Sequence, residues 1–150
     1  MHRTPGEAIT ALIYTYAERI DAGDFDGVGQ VLGHATLTFE GFDAAVSGPE
    51  AVTALYERTT RRFDNGTPRT KHIMTNVIVD VADDALSASS RSTFLVLQAV
   101  PGEFALQPVI AGRYRHTYSC VADQWRIDSM HIMIELMGDL SHHMLFDLQP

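Results

Sequence analysis

Thr70-Lys71-His72-Ile73-Met74-Thr75-Asn76-Val77-Ile78-Val79-Asp80-Val81 reads as one long strand, because it is dense in β-branched residues and ends at the turn pair Asp83-Asp84. A run this apolar fits a strand buried on both faces, which would set His72 in a mostly dry wall with few competitors for its ring nitrogens. Taken alone, a histidine in such a strand reads as a hydrogen-bonded core residue. Its company in the rest of the chain decides what else it is.

Downstream the signals stay β. Leu86 to Val100, Val109 to Val121 and Trp125 to Leu136 are strand-like runs separated by turn residues at Pro101-Gly102 and Asp123-Gln124. Links this short predict antiparallel neighbours. Upstream the period changes from two to 3.6. Thr4-Pro5-Gly6-Glu7 is a capping box with proline at the first helical position, and Ile9, Leu12, Ile13, Tyr16 and Ile20 follow at helical spacing until Gly23 ends the pattern. Asp24 is placed to cap a short second helix through Val31-Leu32, and Thr36 to Glu40 alternate as a strand before the turn Gly41-Phe42-Asp43. Ser47-Gly48-Pro49-Glu50 reads as a second capping box, opening a helix whose apolar face is Val52, Leu55, Tyr56, Thr59 and Phe63 and which ends near Asn65-Gly66. Three helices followed by a long antiparallel sheet predict an α+β domain with helices covering one face. Phe94-Leu95-Val96-Leu97 and Ile132-Met133-Ile134 are apolar at both parities, so the outer face is expected to pack on a second subunit as a homodimer.

Composition narrows the function classes. The 150 residues suit a single domain spanning 1–150, 45% apolar and 20% charged, with no repeat or low-complexity segment. The single Cys120 forbids an internal disulfide and a cysteine-based zinc site. A net charge of −8 argues against nucleic acid or anionic lipid as partner. The one basic cluster, Arg58 with Arg61-Arg62, has the spacing of a solvated helix face. The opening residues carry no apolar signal core and no run approaches a membrane span, so a cytoplasmic protein is expected. No glycine-rich phosphate loop or nucleophile elbow appears, and no cofactor or metal is called for.

Asp21 is the residue that local physics leaves unexplained. It stands in the last turn of the first helix, where a carboxylate faces the negative end of the macrodipole, while Asp24 is the better cap for the second helix. At about 80° from Ile13 on the helical wheel it borders the buried stripe, so it is either a solvated residue of a fraying turn or a group aimed into what the helix covers. In the second case it can meet His72, fix the tautomer of the ring and raise its basicity. Tyr16, Tyr56 and Tyr114 are either buried phenols with one satisfied hydroxyl or donors toward a carbonyl. Arg113 either binds a substrate carboxylate or pairs with an acidic neighbour such as Asp128. His131 shares strand parity with Trp125 and Ile127, which places it on the cavity side, and His142-His143 read as a polar tail.

Tyr16-Ala17-Glu18-Arg19-Ile20-Asp21-Ala22-Gly23-Asp24, then His72 to Asn76, then Ala111-Gly112-Arg113-Tyr114 and Trp125-Arg126, resembles in order and spacing the SnoaL-like branch of the nuclear transport factor 2-like superfamily. The resemblance implies a cone-shaped α+β barrel, three helices on a curved, mostly antiparallel sheet around a deep pocket, usually in dimers. Within it the chain is most similar to scytalone dehydratase, the hexachlorocyclohexane dehydrochlorinase and the bile-acid 7α-dehydratase, which implies catalytic roles for Asp21 and His72. Two departures stand out. The strand position of the dehydratase's second histidine falls in the apolar stretch Phe94 to Leu97, and Tyr16 stands where the dehydrochlorinase has a lysine. The expected function is therefore a cofactor-independent dehydratase or lyase acting on a small apolar carbonyl or ring compound. The alternatives are a polyketide-type cyclase or isomerase, or a ligand-binding or assembly module without turnover.

Overall fold

The computed structural model describes residues 3–147. Helices α1 (Pro5–Asp21), α2 (Phe25–Val31) and α3 (Pro49–Thr59) pack on one curved sheet of β1 (Thr36–Phe39), β2 (Ala45–Ser47), β3 (Thr70–Val81), β4 (Ser87–Val100), β5 (Phe104–Val121) and β6 (Gln124–Met137). Strand order is β2-β1-β6-β5-β4-β3. Every neighbouring pair is antiparallel except β1 with β6. The expected α+β barrel is what the chain forms, with three helices covering the concave face.

Local chemistry explains where α1 begins and ends. The Glu7 amide donates to the Thr4 hydroxyl at 3.3 Å while the Thr4 amide donates to the Glu7 carboxylate at 2.7 Å, so two otherwise orphaned N–H groups are satisfied. At the other end Gly23 takes φ +72°, a left-handed cap that a side chain resists. Between them Ile9, Ile13, Tyr16, Ala17 and Ile20 are buried, one stripe of the helix facing the sheet. Removing the cap hydroxyl in Thr4→Ala is expected to cost about 1 kcal/mol of stability, read as a lower denaturant midpoint at unchanged slope. An unchanged midpoint would mean the box forms without contributing.

Helix α3 ends at Thr59, where Thr60 turns extended, rather than near Asn65-Gly66, so Phe63 packs on the core from the loop beyond it, and the structure departs from the sequence reading at four further places. Ser47 is not a helix cap: it ends β2, its hydroxyl donates to Thr36 across the hairpin, and α3 starts from Gly48 at φ +92° without a side-chain cap. Strand β2 itself was not legible, being only three residues long. Strand β5 begins at Phe104 rather than Val109, because the proline at 108 sits beside a bulge where its missing N–H costs no ladder bond. Strand β3 is not buried on both faces but is the sheet edge, with Ile73 and Ile78 more than 40% exposed. Its ladder to β4 shifts register between Thr75 and Ile78, where Asn76 takes φ +52°.

The inner face of the sheet joins the helices in one core. Phe94, Val96, Tyr114, Tyr118, Ile127 and Met130 are all under 4% exposed. The outer face is mixed, with Ile73, Leu95 and Leu97 beside Arg113, Arg115 and Glu135. Gly112 faces inward beside the bulge between β5 and β6, where a Cβ would lie 1.9 Å from the Met133 carbonyl oxygen. Only glycine lets the strands meet there, and the contact brings Tyr114 under α1.

Candidate active site

The last residue of α1 and the third residue of β3 come together. Asp21 Oδ1 accepts from the Thr70 hydroxyl at 2.9 Å and from His72 Nδ1 at 2.7 Å, and Oδ2 accepts from the His72 backbone N–H at 2.9 Å. Three donors thus offset the unfavourable position of a carboxylate at a helix C-terminus. Burial alone would raise the Asp21 pKa, but the hydrogen bond and charge of His72, its amide N–H and the Thr70 hydroxyl outweigh it and hold the carboxyl below its usual value. An ionised carboxylate only accepts, so the proton between the two groups belongs to His72 Nδ1, and whenever the ring is neutral it is Nε2 that carries the lone pair. The side chains of both are nearly buried, 6% exposed for His72 and 10% for Asp21.

His72 lines a cavity of about 300 Å³ enclosed by all three kinds of wall: α1 and α3, the sheet, and the segment after β6. Its lining is mostly apolar, with Phe94, Val96, Ile110 and Ile132 from the sheet and Phe39 and Val46 from β1 and β2. Against that background the polar groups are few. Tyr16 and Tyr56 share an O–H···O hydrogen bond of 2.7 Å, and Tyr114 sets its ring edge-on to Tyr16 and stacks on Phe94 with centroids 4.3 Å apart. Burial pushes the Tyr16 and Tyr114 hydroxyls far above the ordinary phenol range and that of Tyr56 up to about 12. All three therefore stay protonated. When two hydroxyls pair, one proton bridges them and the other remains to be donated elsewhere.

Of the residues expected at the site, His72, Tyr16, Tyr56 and Tyr114 line the cavity and Asp21 stands directly behind His72. Two do not. Arg113 lies on the outer face, half exposed, with its Nε donating to Glu135 at 2.6 Å, while Asp128 instead accepts from Ser119 and Arg126. His131 is also turned outward, its Nδ1 2.8 Å from the Thr38 hydroxyl. His131 leaves the side of Trp125 and Ile127 for a physical reason: β5 and β6 shift register between Thr117 and Tyr118, so Ile127 and Met130 both face inward and every residue beyond the bulge changes side.

The residues that sequence reasoning missed come from the segment after β6. His143, expected in a polar tail, is 5% exposed and lines the cavity with Met144 and Phe146. Backbone bonds tie this segment down: the Arg61 amide donates to the His143 carbonyl at 2.8 Å and the Leu145 amide to the Thr59 carbonyl at 2.9 Å. The Gln98 side chain adds a bond to the His142 carbonyl at 2.9 Å. A signal was present in the apolar triplet Met144-Leu145-Phe146, which a solvated tail does not explain.

Burial pushes the pKa of His116 and of His143 from 6.5 down to about 4. Each is neutral when folded and binds a proton when unfolded below 6.5, so its contribution is complete above that pH and is lost as the pH falls toward 4. We expect the unfolding free energy, read from urea midpoints at constant slope, to fall over that window by about 3 kcal/mol for each histidine. A flat midpoint down to the lower limit would rule it out. Among the described residues no group of three His, Cys, Asp or Glu is placed to hold a metal ion, and no helix is long and apolar enough to cross a membrane.

Residues 4–131 match the SnoaL-like domain family. No curated protein sequence matches the chain. Among solved structures, a nuclear transport factor 2-like protein with a cystatin-like fold from Novosphingobium aromaticivorans is 20% identical with a TM-score of 0.71, covering 92% of this chain and 86% of its own. A protein of the same organism provisionally assigned as a scytalone dehydratase is 18% identical with a TM-score of 0.68, covering 88% and 85% respectively. ActVI-ORFA of Streptomyces coelicolor is 16% identical with a TM-score of 0.68, covering 85% and 95%. At these identities the likeness is one of fold.

Proposed function

The chain belongs to the SnoaL-like domain family, and from that premise we propose that it is a cofactor-independent acid–base enzyme, a dehydratase or lyase acting on a small, largely apolar carbonyl or ring compound. The observation that carries the reading is the 2.7 Å contact between Asp21 and His72 Nδ1, which leaves a basic Nε2 on a ring that lines an apolar cavity. In this mechanism His72 Nε2 takes a proton from the carbon next to a carbonyl. Asp21 holds the tautomer and balances the imidazolium that forms. The spare hydroxyl of the Tyr16 and Tyr56 pair donates to the developing enolate oxygen, a bond strengthened by the dry walls. As the C–O bond at the next carbon breaks and the C=C bond forms, the departing hydroxide takes the proton back from His72, leaving water and the neutral base.

The test is incubation with hydroxylated ring ketones followed by mass spectrometry. Loss of one water supports elimination, a rearranged product of unchanged mass points to an isomerase or cyclase using the same base, and binding without conversion of any candidate retires the enzyme reading. We further propose a single-domain cytoplasmic homodimer, supported by Ile73, Leu95 and Leu97 on the outer face of the sheet. Light scattering should then give twice 16.6 kDa, and a monomer mass at micromolar concentration would reject it.

A further inference from the structure

His143 has no part in the proposed elimination, yet it faces the same cavity. Its Nδ1 is buried without a hydrogen-bond partner, the kind of orphaned polar atom that folded proteins rarely leave unexplained. Its ring lies edge-on to that of His72, with centroids 6.4 Å apart, and the two rings come from distant parts of the chain. A solvated tail has no reason to bring an imidazole back to this place.

We propose that His72 and His143 together form a subsite for one oxygen atom that both donates and accepts a hydrogen bond, the hydroxyl of an alcohol substrate or a water molecule. Geometry is the first support. A centroid separation of 6.4 Å is one that a single oxygen, about 2.8 Å from a nitrogen of each ring, can bridge with a nitrogen–oxygen–nitrogen angle of roughly 110°. That is close to the tetrahedral angle an sp³ oxygen prefers. Wider separation would need two atoms, and closer separation would leave no room.

Proton placement is the second support. In the neutral ring that the elimination requires, Nδ1 of His72 gives its hydrogen to Asp21 and Nε2 offers only a lone pair, so the oxygen must donate to it. Burial keeps His143 neutral near pH 7, so it carries one N–H and donates that hydrogen to the same oxygen. A ketone or carboxylate oxygen has no hydrogen to give His72 and is disfavoured there. The cavity therefore separates two oxygen types, with carbonyls directed to the Tyr16 and Tyr56 hydroxyls and a hydroxyl or water to the imidazoles. This assignment rests on the reading of the cavity as an acid–base site, since it takes Nε2 of His72 as the group on offer.

The experiment compares crystal structures and affinities of 2-tetralol and tetralin, two probes with the same ring skeleton that differ by one hydroxyl. If the oxygen comes from substrate, the tetralol hydroxyl will lie within about 3.2 Å of a nitrogen of each ring. Tetralol will then bind at least fivefold more tightly than tetralin, an advantage lost in His143→Phe and kept in His143→Gln, which retains a donor. If it comes from solvent, an ordered water will occupy the position in both complexes and vanish from His143→Phe. An oxygen touching both rings in neither complex, or one unmoved in His143→Phe, overturns the subsite. Should the phenylalanine variant fail to fold, the wild-type complexes and His143→Gln decide alone. None of these readouts needs turnover, so an oxygen held between the rings of a protein that converts nothing would retire the elimination mechanism and keep the subsite. Dehydration without such an oxygen would do the reverse.

Discussion

With His72 replaced by alanine, turnover is expected to fall about a thousandfold while affinity for the same ligand stays within roughly tenfold. The asymmetry follows from the cavity. Its apolar walls, Phe94, Val96, Ile110 and Ile132, and the paired hydroxyls of Tyr16 and Tyr56 are untouched by the substitution, so most of what holds a ligand remains. What disappears is the only lone pair that Asp21 keeps free of a proton. Asp21 would then retain its Thr70 contact and the backbone N–H at position 72, so the strand is expected to stay in place. Steady-state kinetics beside calorimetric binding will show whether kcat falls alone. A variant that converts ligand at the wild-type rate would exclude His72 as the base.

The second large effect is expected from Asp21→Asn, in rate and stability together. The asparagine oxygen can still accept from Thr70 or the His72 backbone, but its NH₂ group brings a donor where only acceptors stood. Facing that donor, the His72 ring settles with its proton on Nε2, and the lone pair turns away from the cavity. The rate should drop about a hundredfold or more, with a loss of about 1–3 kcal/mol of stability from the charge-assisted bonds. Nitrogen NMR of the His72 ring reads the tautomer directly. The acid response of this group also disappears: in the wild type the depressed Asp21 pKa stabilises the fold above the usual carboxylate range and that contribution is lost as acid protonates the group, whereas asparagine has nothing to protonate. Unchanged tautomer and rate in the asparagine variant would remove Asp21 from the mechanism.

Most elements written in local sequence were legible, with the Ser47 box and the end of α3 as exceptions, and elements fixed by distant contacts were not. The Thr4 box, the α1 stripe from Ile9 to Ile20, the Asp24 cap and the extent of β3 each depend on residues within a turn or two. Asp21 could be placed at the stripe's border, but its meeting with His72 crosses 51 residues, so spacing left it as one of two alternatives and the family resemblance implied the catalytic roles. His131 was misplaced because one extra residue at the β5–β6 bulge inverts the alternation, and nothing in the sequence of β6 announces a bulge. His143 was misread because its burial is decided elsewhere, by the backbone of Thr59 and Arg61 and the side chain of Gln98. Arg113 found Glu135 on the neighbouring strand rather than Asp128, again through cross-strand register.

At the edge of the sheet, β3 bears on self-association of the folded protein. A free strand edge is a row of unpaired N–H and C=O groups on which another molecule's strand can grow, and β3 would be a long and apolar one. It never offers that row intact. In its first half the Asp21 carboxylate occupies the outward N–H of His72, and in its second half the left-handed backbone of Asn76 breaks the line before Ile78 and Val79. The carboxylate that tunes the imidazole is thus also a gatekeeper against fibrillar pairing. Variants that release it should aggregate from their native state before they unfold, through the very strand that carries the histidine.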